Sequence, residues 1–333
     1  MPDASLFQTY RPLLFSIAYR MLGSASDAED VVQDTWLRYS GAQTPDLNSP
    51  KAYLTTIATR LCLDRLKSAR VAREQYVGPW LPEPMLTARE SEPERSAVIA
   101  ESLTLAFMVL LETLSPEERA VFLLREVFEY SYAEIAGILG DTAVNCRQAF
   151  HRAKQRVAQR RPRFDRTPLE REEKRRLVGR FVEAMRAGDG AALTRVLAED
   201  VGFWGDGGGK VLAARRPVMG RDHVVNLLVG IRRTAPSAGV PLEKISIEIL
   251  DVNSEPAMLI YVDGRLDSVY ACSSADGLIT GVRVVRNPDK LTYISRQLAE
   301  ESSTSRSRPR TATKPTASGS QGFTTVLDIG KSR

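Results

Sequence analysis

An acidic segment near the start of the chain restricts its folding more than any other feature. From Asp27 to Trp36 the sequence contains four carboxylates and no Lys or Arg. Apolar residues recur in and after it at three- and four-residue spacing, which predicts an amphipathic helix, and Ser26 with Glu29 fits a capping box at its start. The polar side of this helix carries Asp27, Asp30, Gln33 and Asp34. Since the formal net charge of the chain is +5, an acidic face indicates a basic protein partner.

Helical periodicity extends on both sides of the acidic segment, so residues 1–73 are predicted to form a helical domain, interrupted by a turn-rich loop from Gly41 to Asn48. Leu6 to Met21 forms one apolar stripe, which Gly23 ends. Ser49-Pro50 fits an N-cap followed by proline in the first helical position, and Tyr53 and Ile57 share the apolar stripe of the helix that follows. The other faces of that helix are basic and carry Lys51, Arg60, Arg65, Lys67 and Arg70.

Residues 74–95 interrupt this pattern and are predicted to form a linker. They include Gly78-Pro79-Trp80-Leu81-Pro82-Glu83-Pro84, through which no regular element can run, because proline lacks an N–H group and fixes φ. Helical periodicity resumes at Val98. Two later segments, Ser115 to Glu118 and Ser131 to Glu134, each fit a capping box at the start of a helix.

Two short helices joined by a turn at Gly140 predict a helix-turn-helix motif within residues 96–165. The second helix, about residues 143–161, is crowded with bases and polar residues. Among them are Arg147, Gln148, His151, Arg152, Lys154 and Arg156. This pattern favours DNA binding, and a basic surface helix without a ligand is the alternative, because charge runs alone are weak signals.

The remaining residues predict an α+β domain followed by a disordered tail. Helical spacing around Phe181 and Leu193 gives way to three apolar runs that indicate strands, at residues 245–249, 257–262 and 281–285. The domain is expected to span residues 172–298. Residues 299–333 are rich in Ser, Thr, Arg and Pro at first and are predicted to be disordered.

Composition sets outer limits on the class of protein. A chain of 333 residues with 43% apolar residues is long enough for two or three folded domains. No leader-like segment and no apolar run of about 20 residues occurs, so we expect a cytoplasmic protein without a membrane partner. Cys62, Cys146 and Cys272 lie far apart, which predicts reduced thiols and no metal site. No cofactor is expected either.

Taken in order, the helical segments resemble the extracytoplasmic-function sigma factors, which are promoter-recognition subunits of bacterial RNA polymerase. Residues 27–36 are similar to their polymerase-binding helix. Residues 52–60 are similar to the helix after the loop that reads the −10 element, with Tyr53 where the family often has Trp. Residues 114–119 and 132–136 resemble the start of the helix-turn-helix that reads the −35 element.

Three further segments resemble the sigma factors that carry a fused SnoaL-like domain. They are Trp80-Leu81-Pro82-Glu83-Pro84, Asp206-Gly207-Gly208-Gly209-Lys210 and Asn287-Pro288-Asp289-Lys290-Leu291. The resemblance implies a multi-domain chain with two all-α sigma domains, the region 2 helical bundle and the region 4 helix-turn-helix, followed by an α+β SnoaL-like domain, an NTF2-like cone. It also implies that this domain regulates the sigma factor in cis, without a separate anti-sigma factor. The three segments are expected to meet, with Trp80 docked on the third domain.

The resemblance assigns residues to three surfaces, with core RNA polymerase and promoter DNA as partners. Core polymerase would be bound by Asp27, Asp30, Val32, Gln33, Asp34 and Trp36. The −10 element would be bound by Lys51, Tyr53, Arg60, Arg65, Lys67 and Arg70. In the recognition helix, Arg147 and Gln148 would reach base edges, whereas the backbone would be held by His151, Arg152, Lys154 and Arg156. Trp36 and Tyr53 fit core positions equally well.

Two other interpretations stay open at this point. An ordinary transcription regulator would use the helix-turn-helix on an operator, but it would not need the acidic segment. A SnoaL-like enzyme with an accessory DNA-binding part would use an acid or base from Asp206, Asp222 and His223. Gly207 to Gly209 fits either a close backbone contact or a flexible turn, and a small ligand of the third domain, if it has one, is not identified by the sequence.

Overall fold

A computed structural model describes residues 3–41, 49–87, 100–160, 168–236, 241–307 and 327–328. The chain divides into two compact units, a helical unit of residues 1–83 and 92–162, and an α+β unit of residues 84–91 and 163–333. The predicted order, helices first and an α+β domain last, is confirmed. Within the described ranges, no helix has the length and apolar character needed to span a membrane.

The helical unit is built from seven described helices. They are α1 (Ala4–Leu22), α2 (Ala25–Gly41), α3 (Pro50–Glu74), α4 (Leu105–Leu111), α5 (Pro116–Phe122), α6 (Tyr132–Leu139) and α7 (Ala143–Arg160). Helix α5 continues into one π-helical turn, Leu123–Val127. The helix-turn-helix prediction is confirmed by α6 and α7, since α6 ends at Gly140 in the left-handed conformation with φ of 72°.

The helix starts test the capping predictions. The boxes of Ser115 with Glu118 and of Ser131 with Glu134 are both present. The box predicted for Ser26 and Glu29 is wrong, because α2 begins at Ala25, two residues before the start at Asp27 that this box implies. Glu29 forms an ion pair with Arg11 of α1 instead.

Two buried arginines join the segments predicted as separate helical domains. Arg119 of α5 is 3% exposed, and its Nη1 donates to the carbonyl of Met21 at 2.6 Å and to Glu112 at 2.8 Å. Arg20 of α1 is 2% exposed, and its Nε donates to Ser102 Oγ at 2.7 Å. Burying a guanidinium is costly unless it is hydrogen-bonded, so these contacts hold α1 against α5 and Ser102, although the buried Nε of Arg119 has no hydrogen-bond partner among the described residues.

The α+β unit contains four described helices around one mixed sheet. The helices are α8 (Pro168–Ala187), α9 (Gly190–Val196), α10 (Arg221–Thr234) and α11 (Pro288–Ser307). The strands are β1 (Leu197–Asp206), β2 (Val218–Met219), β3 (Ile245–Val252), β4 (Glu255–Val262), β5 (Arg265–Ala275), β6 (Leu278–Val285) and β7 (Leu327–Asp328). Their order is β2-β1-β6-β5-β4-β3-β7; β1 and β6 are parallel and the other pairs are antiparallel.

The core of this unit lies between one face of the sheet and the helices that precede β3. Phe181 and Leu193 of α8 and α9 pack with Phe203, Tyr270 and Val282 of the sheet. The three predicted strands are present, whereas β1 and β5 were not predicted. Helix α11 continues past residue 298 to its end at Ser307, so the first part of the predicted disordered tail is helical; residues 308–326 and 329–333 lie outside the described residues.

The three cysteines are free and buried. Burial raises the pKa of the Cys62 and Cys146 thiols, and it raises that of Cys272 to about 12. A thiol with a raised pKa is largely protonated at neutral pH and therefore a poor nucleophile and metal ligand. This agrees with the prediction of reduced thiols.

Replacing Arg119 with Ala should destabilise the helical unit strongly. The substitution leaves the Met21 carbonyl and Glu112 without the guanidinium that they now bind, and breaking a buried charge pair costs about 3–5 kcal/mol. Urea denaturation of the full chain, followed by far-UV circular dichroism, measures the loss. Arg38→Ala, at an exposed position of α2, is the control and should change stability by less than about 0.5 kcal/mol. Equal effects of the two substitutions would contradict this account of Arg119.

Candidate partner- and DNA-binding surfaces

An acidic surface, defined by Asp27, Asp30, Gln33 and Asp34, lies on the outer side of α2. The three carboxylate side chains are between 44% and 64% exposed. Arg65 of α3 lies among them, with Nη1 at 3.7 Å from Asp27 and 3.6 Å from Asp30, and Nη2 at 2.9 Å from Asp34. Exposed ion pairs of this kind contribute little energy, so a basic partner can replace Arg65 at small cost.

The apolar residues assigned to this surface are placed differently from one another. Val32 is only 2% exposed and belongs to the core, so its expected contact with a partner is not supported. Trp36 is half-buried, with its ring centroid 5.0 Å from that of Phe7 and 6.1 Å from that of Tyr39. Leu37, which the sequence did not single out, is 57% exposed and follows Gln33 and Asp34 by about one helical turn, so it adds apolar area to the acidic surface.

The basic side chains of α3, expected to hold DNA, contact other parts of the helical unit. Lys51 Nζ lies 5.2 Å from the ring centroid of Tyr130, and Arg60 Nε donates to the carbonyl of Ile138 at 3.1 Å. Lys67 lies 3.9 Å from Glu117 and stays exposed. Arg65 pairs with the acidic surface, as described above. The predicted phosphate contacts are therefore engaged by protein groups in this arrangement.

Other residues of the expected −10 surface give less information. Tyr53 is half-buried, consistent with its place on the apolar stripe. Arg70 belongs to α3 but lies outside the residues whose side chains are described, and residues 42–48 are outside the described ranges.

A buried hydrogen bond joins α3 to the residue that precedes the helix-turn-helix by two positions. Thr55 Oγ1 and the Tyr130 hydroxyl lie 2.9 Å apart, immediately before α6. Burial raises the pKa of the Tyr130 hydroxyl, although the hydrogen bond to Thr55 acts in the opposite direction. The phenol therefore stays neutral at physiological pH, and this contact does not depend on pH in that range.

The first turns of the recognition helix α7 present a polar surface to solvent. Arg147, Gln148 and His151 are exposed, as expected for residues that reach DNA. Val144, which is 58% exposed, and Asn145 were not singled out from the sequence. The Asn145 backbone N–H donates to Thr142 Oγ1, which places both residues in the first turn, where helix-turn-helix proteins contact bases.

The middle of α7 is held by internal ion pairs. Arg152 and Arg156 pair with Glu118 at 3.3 and 2.6 Å, and Lys154 lies 3.5 Å from Glu126. The three basic side chains remain between 50% and 57% exposed. Because exposed charges exchange partners readily, these residues can still be reached by phosphates.

In the α+β unit, Asp206 and Lys290 form a buried ion pair. The side chains are 0% and 9% exposed, and Lys290 Nζ lies 2.7 Å from Asp206 Oδ2. Asp206 Oδ1 accepts from the backbone of Gly208, and the Asp206 carbonyl accepts from the backbones of Arg286 and Asn287 at 2.8 and 2.9 Å. Two of the three segments expected to meet, residues 206–210 and 287–291, are thus in direct contact.

The glycines between these charged residues are required by geometry. A Cβ at Gly207 would lie 2.5 Å from the carbonyl oxygen of Val211, and Gly208 and Gly209 have φ of 58° and 72°. Any larger residue would be strained here. Lys210 at the end of this loop pairs with Asp289, so a second, exposed ion pair joins the same two segments.

The third segment, in the linker, is divided between the two units. Trp80 to Glu83 belongs to the helical unit, and Pro84 begins the part that belongs to the α+β unit. A Cβ at Gly23 would lie 2.6 Å from the Trp80 ring, so the indole covers this glycine. Leu81 is 1% exposed. The docking of Trp80 on the third domain stays a prediction.

On the other side of this division the linker pairs with the α+β unit. The backbone N–H of Met85 donates to Asn253 Oδ1 at 3.0 Å, and the Asn253 N–H donates to the Met85 carbonyl at 2.9 Å. Leu86 forms an antiparallel bridge with Val252. These backbone contacts anchor the linker beside the turn between β3 and β4.

The residues considered for an enzymatic reaction are not assembled as a catalytic group. Asp206 is buried and bound to Lys290, whereas Asp222 and His223 are exposed in the first turn of α10. His223 Nδ1 lies 3.0 Å from the Met219 carbonyl. In the described part of the unit, this arrangement supplies no acid and base facing each other.

An acidic partner surface and a basic helix-turn-helix within one helical unit define a transcription factor that binds both a protein and DNA. The Sigma-70 region 2 family matches residues 6–71, and the Sigma-70, region 4 family matches residues 104–157.

Full-length relatives extend this match. The chain is 36% identical over 296 residues to the ECF RNA polymerase sigma factor SigJ of Mycobacterium tuberculosis, covering 87% of this chain and 93% of SigJ. It is 31% identical over 302 residues to the probable ECF RNA polymerase sigma factor SigI of the same species, covering 89% and 97%. The crystal structure of SigJ matches with a TM-score of 0.67 and 34% identity, over 87% of this chain and 99% of that chain. The chain therefore belongs to the extracytoplasmic-function RNA polymerase sigma factors.

The resemblance stated from the sequence is thus confirmed. The protein is a sigma factor for transcription initiation, with helical sigma domains followed by a domain of mixed sheet and helices that is consistent with the NTF2-like fold. Sigma factors act with core RNA polymerase and promoter DNA and are generally not enzymes.

Lys290→Ala should destabilise the α+β unit far more than Lys210→Ala. Loss of Lys290 leaves the Asp206 carboxylate buried without its cation, at a cost of about 3–5 kcal/mol. Lys210 belongs to an exposed pair, whose loss costs less than about 1 kcal/mol. Differential scanning calorimetry of the full chain compares the two variants. A Lys290→Ala protein as stable as the Lys210→Ala protein would refute a structural role for the buried pair.

Proposed function

We propose that this sigma factor binds core polymerase through the acidic surface of α2, and that its own α+β unit controls promoter recognition in cis. The single observation that carries the proposal is that basic side chains of α3 already contact other groups of the helical unit. Lys51 and Arg60 are bound to groups beside or within the helix-turn-helix while the acidic surface stays exposed. Binding of −10 DNA by α3 would therefore compete with contacts that α3 makes within the helical unit.

The polymerase contact is supported by charge and exposure. A basic segment of the polymerase would displace Arg65 from Asp27, Asp30 and Asp34 and pair with the carboxylates itself. Complementary charge of this kind favours fast and correctly oriented docking more than high affinity. Trp36 and Leu37 supply apolar area next to the charges.

The promoter contacts are supported by the surfaces of α7 and α3. Arg147 and Gln148 would read the −35 element, together with Val144 and Asn145 in the same turns of α7. At the −10 element, binding of DNA by the exposed side chains of Lys51 and Arg60 would compete with their contacts to Tyr130 and Ile138. The closed arrangement, in which α3 makes these contacts, would therefore weaken −10 binding.

Control in cis is supported by the linker, because residues on both sides of the Glu83–Pro84 bond are anchored. The α+β unit holds Met85 through Asn253, and this anchoring would favour the closed arrangement of the helical unit. A domain of the same chain would then do what a separate anti-sigma factor does elsewhere, and none would be needed. The protein would act in the cytoplasm, with the polymerase.

The double substitution Asp30→Lys with Asp34→Lys should abolish transcription from a cognate promoter in a run-off assay with purified core polymerase. Both positions are exposed, so the fold should be retained, while a basic partner meets repulsion in place of attraction. Circular dichroism checks the fold. Asp64→Lys, on the exposed side of α3, is the control and should retain transcription. Full activity of the double variant would exclude this surface as the polymerase contact.

Asn253→Gly should raise run-off transcription severalfold if the linker anchor restrains the helical unit. Glycine accepts the φ of 53° at this position, and the change removes the side-chain acceptor for the Met85 N–H while the backbone bond from Asn253 to the Met85 carbonyl stays. The matched control is Asp263→Gly, at another turn with φ of 53° in the same unit. Unchanged transcription with Asn253→Gly would refute control through this anchor, whereas an equal rise with both variants would show a nonspecific effect of loosened turns.

A further inference from the structure

The N-terminus of α2 is capped by a residue that is distant in sequence. Glu83 Oε2 accepts from the backbone N–H groups of Ala25 at 2.9 Å and Ser26 at 3.1 Å, and its Oε1 accepts from Ser24 Oγ at 2.9 Å. The Asp27 N–H donates to Ser24 Oγ. The first N–H groups of a helix have no partner within it, so Glu83 and Ser24 together satisfy the start of α2.

The position of Glu83 is itself fixed by the turn between α1 and α2. Its backbone N–H donates to the Gly23 carbonyl at 2.9 Å, and its carbonyl accepts from the Tyr19 hydroxyl at 2.6 Å. Trp80 covers Gly23 from the same linker segment. Glu83 is only 9% exposed, which keeps water from competing for these bonds. The linker therefore completes the fold of this part of the helical unit.

We propose that Glu83 is a positioning residue for the polymerase-binding surface, a role that rests on the function proposed above for α2. Asp27 lies in the first turn that Glu83 caps, and Asp30 follows one turn later. Without the carboxylate, the N–H groups of Ala25 and Ser26 lose their acceptor and the first turn frays, which moves Asp27 and increases the entropy lost on binding. The negative charge also interacts favourably with the positive end of the helix dipole.

Through Glu83, the α+β unit could affect the acidic surface of α2. Met85, which the α+β unit holds through Asn253, is two residues from Glu83 in the chain. Two residues span at most about 7 Å, so a movement that carries Met85 farther than this from Glu83 must displace Glu83 or break its bonds. The cap on α2 can therefore respond to the state of the α+β unit.

The test measures two quantities in the full-length protein: the Kd for core RNA polymerase, and the hydrogen-exchange rates of the backbone amides of residues 25–28. Glu83→Ala should raise the Kd about tenfold, the effect of losing an N-cap, and speed exchange at these amides. Glu83→Gln keeps an acceptor oxygen and loses the charge, so it should raise the Kd only about two- to fivefold.

The matched control is Asp3→Ala. Asp3 Oδ1 accepts from the backbones of Ser5 and Leu6 at the start of α1, so the substitution removes the same kind of cap from a different helix. It should leave the Kd unchanged. In the hydrogen-exchange measurement, Asp3→Ala should speed exchange only at the amides of α1.

Several outcomes would overturn the proposal. An unchanged Kd with Glu83→Ala, with or without faster exchange at residues 25–28, would do so, and so would an equal increase with Asp3→Ala. If Glu83→Ala unfolds the helical unit, Glu83→Gln decides, and an unchanged Kd in that variant refutes the role. The Asp30→Lys, Asp34→Lys protein distinguishes failure of the proposed function from failure of the role of Glu83. If this double variant still binds polymerase, the assignment of α2 as the polymerase contact is wrong. If it loses binding while Glu83→Ala binds with an unchanged Kd, only the role of Glu83 is rejected.

Discussion

Segments that are far apart in the chain contact the turn between α1 and α2, and the arrangement of the helical unit depends on this turn. The Met21 carbonyl accepts from Arg119, the Gly23 carbonyl accepts from the backbone of Glu83, and Ser24 is bound by the Glu83 carboxylate. Gly23 has φ of 70°, which leaves its carbonyl pointing away from α1 and available to the linker. Polar groups at a helix end normally bind water. Here protein groups bind them instead, so the linker and α5 both pack against this one turn.

The charged surfaces share one physical property, which is that their ions are already paired within the protein. Arg65 lies among the carboxylates of α2, and Arg152 and Arg156 lie against Glu118. In the function proposed above, binding to polymerase or DNA would be an exchange of ion pairs in place of the capture of free charges. Because most of these side chains are half exposed, each exchange has a small free-energy cost, and specificity must come from how many pairs form at once.

The sequence predicted most of what local rules determine. The boxes at Ser115 and Ser131 were predictable because both partners lie three residues apart, and the helix-turn-helix followed from them and from Gly140. The box at Ser26 failed because the start of α2 is capped by Ser24 and by Glu83, and Glu83, 58 residues from Ala25 in the chain, belongs to no local pattern. Strand β1 was missed since Glu199 and Asp200 interrupt its apolar residues at a shift in register.

The candidate surfaces were predictable as groups of residues and less so as individual contacts. The stripe that made α2 amphipathic also contained Val32, and only packing shows that its side chain is buried while Leu37 is exposed. The basic residues of α3 were identified by composition, but their contacts with Tyr130 and Ile138 depend on tertiary structure. Charge counts therefore located the surfaces, and the fold decided which charges are accessible.

Proline in the linker makes the connection between its two anchors stiff. Pro82 and Pro84 flank Glu83, and proline restricts both its own φ and the conformation of the residue before it. Glu83 therefore has few backbone conformations with which to absorb a movement of Met85. A flexible linker would separate the cap of α2 from the anchor at Asn253. In the regulation proposed above, this stiff connection would make the two sets of hydrogen bonds depend on each other, so a change of state would require breaking one of them.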